Sequence, residues 1–167
     1  IAVGDSGTII TSSDRISWDN STSGTSEVLW DVTYGNSTFV TVGGYGTILT
    51  STGGTTWTSR TSGTSNNLSE VTYVNNTFVA VGASGTILTS SDGTTWTSRT
   101  SDVTTTPFHA ITNDNSTFVV TGQSGKIVTS TDGISWTSRT SGTSNSLRGV
   151  THDGVGLFVA VGDDGNI

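Results

Sequence analysis

Three arginines, Arg60, Arg99 and Arg139, stand 39 and 40 residues apart, each closing the same short stretch Thr-Ser-Arg. Gathered at one point, three guanidinium groups would grip a carboxylate through forked N–H pairs. Their even spacing argues for a different placement. One residue per tandem unit lies in parallel with its equivalents, and Ser21 holds that position in the first unit, so the arginines are expected along a periphery. The acids form no obvious catalytic pair. Glu27 and Glu70 are the only glutamates and neither adjoins a tyrosine, so no nucleophile or general acid can be picked out. His109 and His152 stand singly, without metal-ligand spacing. The segment "GDDGN" at 162–166 repeats "GDSGT" at 4–8, which reads as a turn in preference to a calcium loop. The chain has no cysteine, which excludes a disulfide framework, a thiolate metal site and a thiol nucleophile. No metal and no cofactor is expected.

A second acidic motif recurs too often to be catalytic. "SSDGTTW" at 90–96 has relatives in "SSDRISW", "STGGTTW" and "STDGISW". A catalytic group is needed once, whereas a hairpin staple is needed in every unit. Asp14, Asp92 and Asp132 are therefore read as turn residues whose carboxylates accept backbone N–H groups, with Gly93 and Gly133 free to take a positive φ. The first copy carries Arg15 in place of the glycine and the second Gly53 in place of the aspartate. Trp18, Trp57, Trp96 and Trp136 close the motif and are expected between neighbouring sheets.

These motifs imply the elements that must hold them. The four tryptophans are 39, 39 and 40 residues apart, and Gly7, Gly46, Gly85, Gly125 and Gly165 follow the same period, as do Phe39, Phe78, Phe118 and Phe158. Charged residues are 11% of the chain, and the apolar ones fall in short clusters of Val, Ile, Phe and Trp, a β composition with no amphipathic helical run. A period near 40 residues made only of strands predicts an all-β fold, a β-propeller of four-stranded blades. One unit reads as an inner strand "LSEVTY", a turn "VNN", a strand "TFVAVG", a glycine turn, a strand "GTILTS", the "SDG" turn and a strand "TTWTSR". "TSGTSNN" then crosses to the next blade. Adjacent apolar residues in the middle strands imply that both sheet faces are covered.

The whole unit resembles Asp-box propeller repeats, whose usual pattern is Ser/Thr, any, Asp, any, Gly, two more, then an aromatic; here the glycine follows the aspartate directly. It is similar to the repeats of bacterial surface and secreted propellers and of the seven-bladed photosystem II assembly factor family. That resemblance implies a fold and leaves function open among sialidases, other glycosidases, lectins, receptors and assembly factors. Counted from residue 1, one propeller segment, 1–167, divides into repeats 1–39, 40–78, 79–118 and 119–158, with 159–167 as the start of a fifth. The chain lacks an initiating Met, so it is expected to be a window of a larger seven-bladed or continuing array in which broken blades are completed. A closed four-bladed ring is not expected, because "IAVGDSGTI" and "VAVGDDGNI" would claim one strand slot.

A repeat protein shows where its units disagree. At the start of the inner strand Leu29, Leu68, Phe108 and Leu147 stay apolar, whereas the next positions are Trp30, Ser69, His109 and Arg148, followed by Asp31, Glu70, Ala110 and Gly149. Trp30, Asp31, Glu70, His109 and Arg148 form the candidate ligand surface, suited to a protein segment or a glycan. The loop "SDVTTTPFH", one residue longer than its counterparts, carries the sole proline. Asn20, Asn36, Asn67, Asn75 and Asn115 begin glycosylation sequons, although asparagine also suits a tight turn. The net charge is −7 and Lys126 is the sole lysine, so no nucleic-acid partner is expected; no apolar run is long enough for membrane insertion. The functional expectation is a non-enzymatic extracellular or cell-surface module for interaction or structure, able to self-associate through open blade edges. A glycan-binding, lectin-like propeller is the alternative, followed by a fragment of a sialidase-like glycosidase.

Overall fold

The computed structural model describes residues 1–165. The strands are β1 (Ala2–Val3), β2 (Ile9–Thr11), β3 (Asp19–Ser21), β4 (Leu29–Gly35), β5 (Thr38–Gly43), β6 (Ile48–Ser51), β7 (Thr58–Arg60), β8 (Leu68–Val74) and β9 (Thr77–Gly82). They continue as β10 (Ile87–Ser90), β11 (Thr97–Arg99), β12 (Phe108–Asn113), β13 (Phe118–Gly122), β14 (Ile127–Ser130), β15 (Thr137–Arg139), β16 (Leu147–His152) and β17 (Phe158–Gly162). β4–β7, β8–β11 and β12–β15 are three four-stranded antiparallel meanders; β1–β3 form a three-stranded sheet and β16–β17 a two-stranded one. Successive inner strands β4, β8, β12 and β16 lie side by side, so the sheets are blades of a propeller.

Local chemistry sets each turn. Between β4 and β5, and again between β8 and β9, two consecutive residues take positive φ: Asn36 and Ser37, then Asn75 and Asn76. That is the mirror-image turn that fits the twist of a hairpin, and asparagine tolerates it. After the strand that carries the Val-rich core the chain makes one 3-10 turn per sheet, at Asp5–Gly7, Gly44–Gly46, Ala83–Gly85, Gln123–Gly125 and Asp163–Gly165. The closing glycine is required twice over. Gly46 has φ +71°, and a Cβ there would stand 2.1 Å from the Thr64 carbonyl of the crossover loop.

The third turn is the aspartate motif. Asp92 Oδ1 accepts the backbone N–H groups of Thr94 and Thr95 at 2.8 and 2.9 Å, and Ser90 Oγ donates to the same oxygen at 2.9 Å while accepting Gly93 N–H. Asp132 and Asp14 make the same contacts with Ile134 and Ser135, and with Ile16 and Ser17. In the second copy, where Gly53 stands for the aspartate, Ser51 Oγ still accepts Gly54 N–H. Gly93 and Gly133 have φ of +74° and +70°. Asp92 holds Thr94 and Thr95 in its turn and the Trp96 indole bonds back to Gly93, so the outer strand starts at Thr97, later than the expected "TTWTSR".

The core sits between blades. One cluster joins Val79, Val81 and Ile87 to Phe108, Phe118 and Trp136 of the next blade, and another joins Val40, Val42 and Ile48 to Leu68, Phe78 and Leu88. Trp57 and Trp136 are buried and Trp96 is half-buried; each indole N–H folds back onto its own turn, at Gly54, Gly133 and Gly93. Trp18 departs from expectation: it is 47% exposed and makes no such bond. The reason lies in the packing direction. Gly54 leans on Ile1 and Thr11, Gly93 on Thr38 and Val40, and Gly133 on Val79, so each motif packs against the blade before its own. Among the described residues no earlier blade receives the first motif.

Candidate binding surface at the channel mouth

The inner strands share one irregularity. Register slips by one residue between Leu29 and Asp31, Leu68 and Glu70, Phe108 and Ala110, and Leu147 and Gly149. Each slip is a β-bulge, which takes one side chain off the ladder and re-aims it. The bulged residues are Trp30, Ser69, His109 and Arg148, which are the positions where the repeats diverge. The apolar residue before each bulge is buried, so the strand end is fixed by Leu29, Leu68, Phe108 and Leu147.

Three of the four bulged residues meet in one depression. Trp30, Ser69 and His109 line a space of about 430 Å³ together with Asn67, Ala83 and Pro107. Trp30 is 44% exposed, and its indole N–H has no partner among the described residues. The His109 imidazole is held below its ordinary value, first by burial and then by the nearby Arg148 charge, so it stays neutral near pH 7. Arg148 lies exposed beyond it and donates Nε and Nη2 to the two carboxylate oxygens of Asp163 at 2.9 and 3.0 Å. The row thus runs from an aromatic plate through a hydroxyl and a neutral imidazole to an ion pair. Pro107 and Ala83 were not foreseen individually, although the irregular loop 101–109 had signalled the place.

Asp31 and Glu70 do not belong to this surface. The Asp31 carboxylate accepts Val71 N–H at 2.9 Å and that of Glu70 accepts Ile111 N–H at 3.0 Å, each across to the next inner strand. They are clips between blades. In the following blade Ala110 occupies the position and the clip is absent. Burial raises the Asp31 pKa; burial, with a smaller push from the Asp31 charge, raises that of Glu70 to about 7. Two neighbouring acids with one titrating near neutrality invite a glycosidase reading. The geometry favours structure, since the same carboxylate-to-backbone bond is made at two successive interfaces.

The remaining candidates are scattered. Arg60, Arg99 and Arg139 lie on the outer strands, each with Nε donated to the hydroxyl of Thr50, Thr89 or Thr129 on the adjacent strand. They do not converge. Asn36 and Asn75 use their amide N–H groups on Ser91 and Asn115 carbonyls, Asn67 Oδ1 accepts Tyr45 N–H, Asn115 is a turn residue at φ +73°, and Asn20 is exposed on β3. Among the described residues no group of three His, Cys, Asp or Glu could hold a metal ion.

No family model matches the sequence, and no curated protein matches it. Solved structures do match. YCF48 bound to a D1 peptide superposes with a TM-score of 0.75 at 17% identity, over 96% of this chain and 56% of that one. YCF48 from Cyanidioschyzon merolae gives 0.71 at 16% identity, over 98% of this chain and 63% of that one. The likeness to photosystem II assembly-factor propellers drawn from the repeats therefore holds at the level of fold. The chain spans less than two thirds of the length of either structure.

Proposed function

We propose that this chain is a non-catalytic interaction module that binds a polypeptide segment at the mouth formed by Trp30, Ser69, His109 and Arg148. One observation carries the reading: four successive bulges stand in one row and present four different side chains, Trp30, Ser69, His109 and Arg148, each behind a buried apolar residue that does repeat. A scaffold needs the bulge and has no need for the variety. Trp30 and the neighbouring Pro107 offer an apolar contact, while Ser69 and His109 offer hydrogen bonds, a mixture suited to an extended peptide. That YCF48, a propeller of similar fold, has been solved bound to a D1 peptide supports the reading. As part of the same proposal the module works outside the cell or at its surface. Selection from a displayed peptide library tests the function. Selected peptides should lose about tenfold or more in affinity for Trp30→Ala, with melting unchanged; equal binding by the variant would sink the proposal.

A second element, self-association, is favoured by β17. Its far edge carries no strand among the described residues, and Val159 and Val161 are 36% and 45% exposed. β1 pairs with β2 over two residues, Ala2↔Ile10 and Val3↔Ile9, and β17 repeats that Ala-Val at Ala160–Val161 with two further strand residues before it. Another copy's β17 can therefore take the place of β1 with a longer ladder. Light scattering should show mass rising with concentration, and Val159→Lys with Val161→Lys should abolish the rise. A monomer at every concentration would refute this element.

A further inference from the structure

The two incomplete sheets lack complementary pieces. In a whole blade the phenylalanine of the second strand packs against the tryptophan of the aspartate motif: ring centroids are 6.4 Å apart for Phe78 and Trp96 and 6.0 Å for Phe118 and Trp136. Phe158 holds that position on β17 and is half-buried, with no tryptophan against it among the described residues. Trp18 closes the first motif and has no phenylalanine against it among the same residues. β16–β17 are the first and second strands of a blade, and β1–β3 are a second, third and fourth. Together they hold one whole blade with its second strand twice over.

The last whole blade is short of cover on the matching face. Val40 and Val79 each receive the motif glycine of the following blade, Gly93 and Gly133. Val119 is their counterpart on β13, and the β14 strand beside it is less covered: Ile127 and Thr129 are half-buried where Ile48, Thr50, Ile87 and Thr89 are buried. Arg139 is exposed where Arg60 and Arg99 are half-buried. What is missing there is a following motif, and the motif at 12–18 has no earlier blade to receive it among the described residues. Face and motif are the two halves of a junction that this chain already builds from Gly93 and from Gly133.

We infer that two copies of this chain close head to tail into one eight-bladed ring, each finishing the blade that the other begins. The inference rests on the self-association proposed above and adds its second contact, Trp18 of one copy against Phe158 and Val119 of the other. The register is that of the whole blades: Phe78↔Ser90 and Val81↔Ile87 have their counterparts in Phe158↔Ser12 and Val161↔Ile9 between copies, and β1, held by two residue pairs, gives way. The count follows from the blades. Each copy brings three whole blades and the parts of a fourth, and propellers run from about four to eight blades. One copy cannot close alone, because β1 and β17 claim one slot and stand in separate sheets. Two copies reach the upper end of the range and three exceed it. Closure also completes the channel mouth: β16 comes to lie beside the second copy's β4 as it already lies beside β12, which sets Arg148 next to that copy's Trp30 in the row of bulges.

The test is light scattering on the 167-residue chain, with indole NMR over the same range of concentration. Mass should rise from one copy and level off at two, and the Trp18 resonance should move in step with it while those of Trp57 and Trp136 stay in place. Trp18→Ala should remain folded as a monomer and raise the dissociation constant of the pair about a hundredfold, roughly tenfold at each of its two junctions. Mass that climbs past two copies would overturn the ring and leave self-association standing, whereas a monomer at every concentration would overturn both. A pair that forms with the Trp18 resonance fixed, or that Trp18→Ala forms as tightly as the wild type, meets through another face and would overturn the ring as well.

Discussion

Substituting Glu70 by glutamine tests the inter-blade clip through its pH dependence. In the fold the Glu70 carboxyl titrates at about 7, against an ordinary value of 4.5, chiefly because it is buried. A group whose pKa is raised by folding stabilises the fold while it keeps its proton. Its contribution is full below about pH 4.5, declines as pH rises, and is lost above 7. In a dry site a shift of that size would be worth about 3 kcal/mol; with water reaching a half-buried carboxyl the figure falls to about 1–2 kcal/mol. Glutamine keeps an oxygen to accept Ile111 N–H and carries no charge at any pH. Urea unfolding at pH 5, 6, 7 and 8 should therefore show the variant gaining on the wild type by about 1–2 kcal/mol between the extremes. His109, lowered by burial, acts in the opposite sense and is common to both proteins, so the difference isolates Glu70. Parallel profiles for the two proteins would refute the buried-clip geometry.

Other substitutions probe the packing and the turns. Trp136→Ala, at a buried indole, should cost about 3–5 kcal/mol, and Trp18→Ala, at an exposed one, under about 1 kcal/mol; equal losses in thermal unfolding would contradict the packing direction. Asp92→Ala should cost about 0.5–1.5 kcal/mol at pH 7 without touching peptide affinity. The contacts hold that carboxyl well below the usual carboxylate range, so wild type and variant should converge as pH falls through and below the ordinary Asp value; a gap persisting in strong acid would count against the turn. Thr121 is fully buried with an unpartnered hydroxyl, where the other blades have Val42 and Val81, so Thr121→Val should raise stability by about 1 kcal/mol. Destabilisation by chemical denaturation would show that the hydroxyl has a partner.

What the sequence made legible follows the range of each interaction. The Ser-x-Asp turn closes within a few residues, so its residues could be read directly, as could the apolar residue that starts each inner strand. The clips made by Asp31 and Glu70 reach Val71 and Ile111, 40 and 41 residues away, and nothing beside either acid announces a backbone partner. The carboxylates therefore read as part of an exposed channel wall. Trp18 misled for a related cause, because its burial depends on a neighbouring blade and not on its own motif. The bulges leave no composition signal, yet the divergence of Trp30, Ser69, His109 and Arg148 marked their positions.

The chain has five tryptophans, and their indole N–H groups give a direct measure of where a partner binds. Trp57, Trp96 and Trp136 donate to their own turns, whereas the Trp30 N–H, beside the mouth, has no partner among the described residues. Indole NMR resonances followed during titration with a selected peptide should show the Trp30 signal moving with occupancy while those three stay in place. A saturable titration in which the Trp30 signal stays fixed would contradict binding at the mouth.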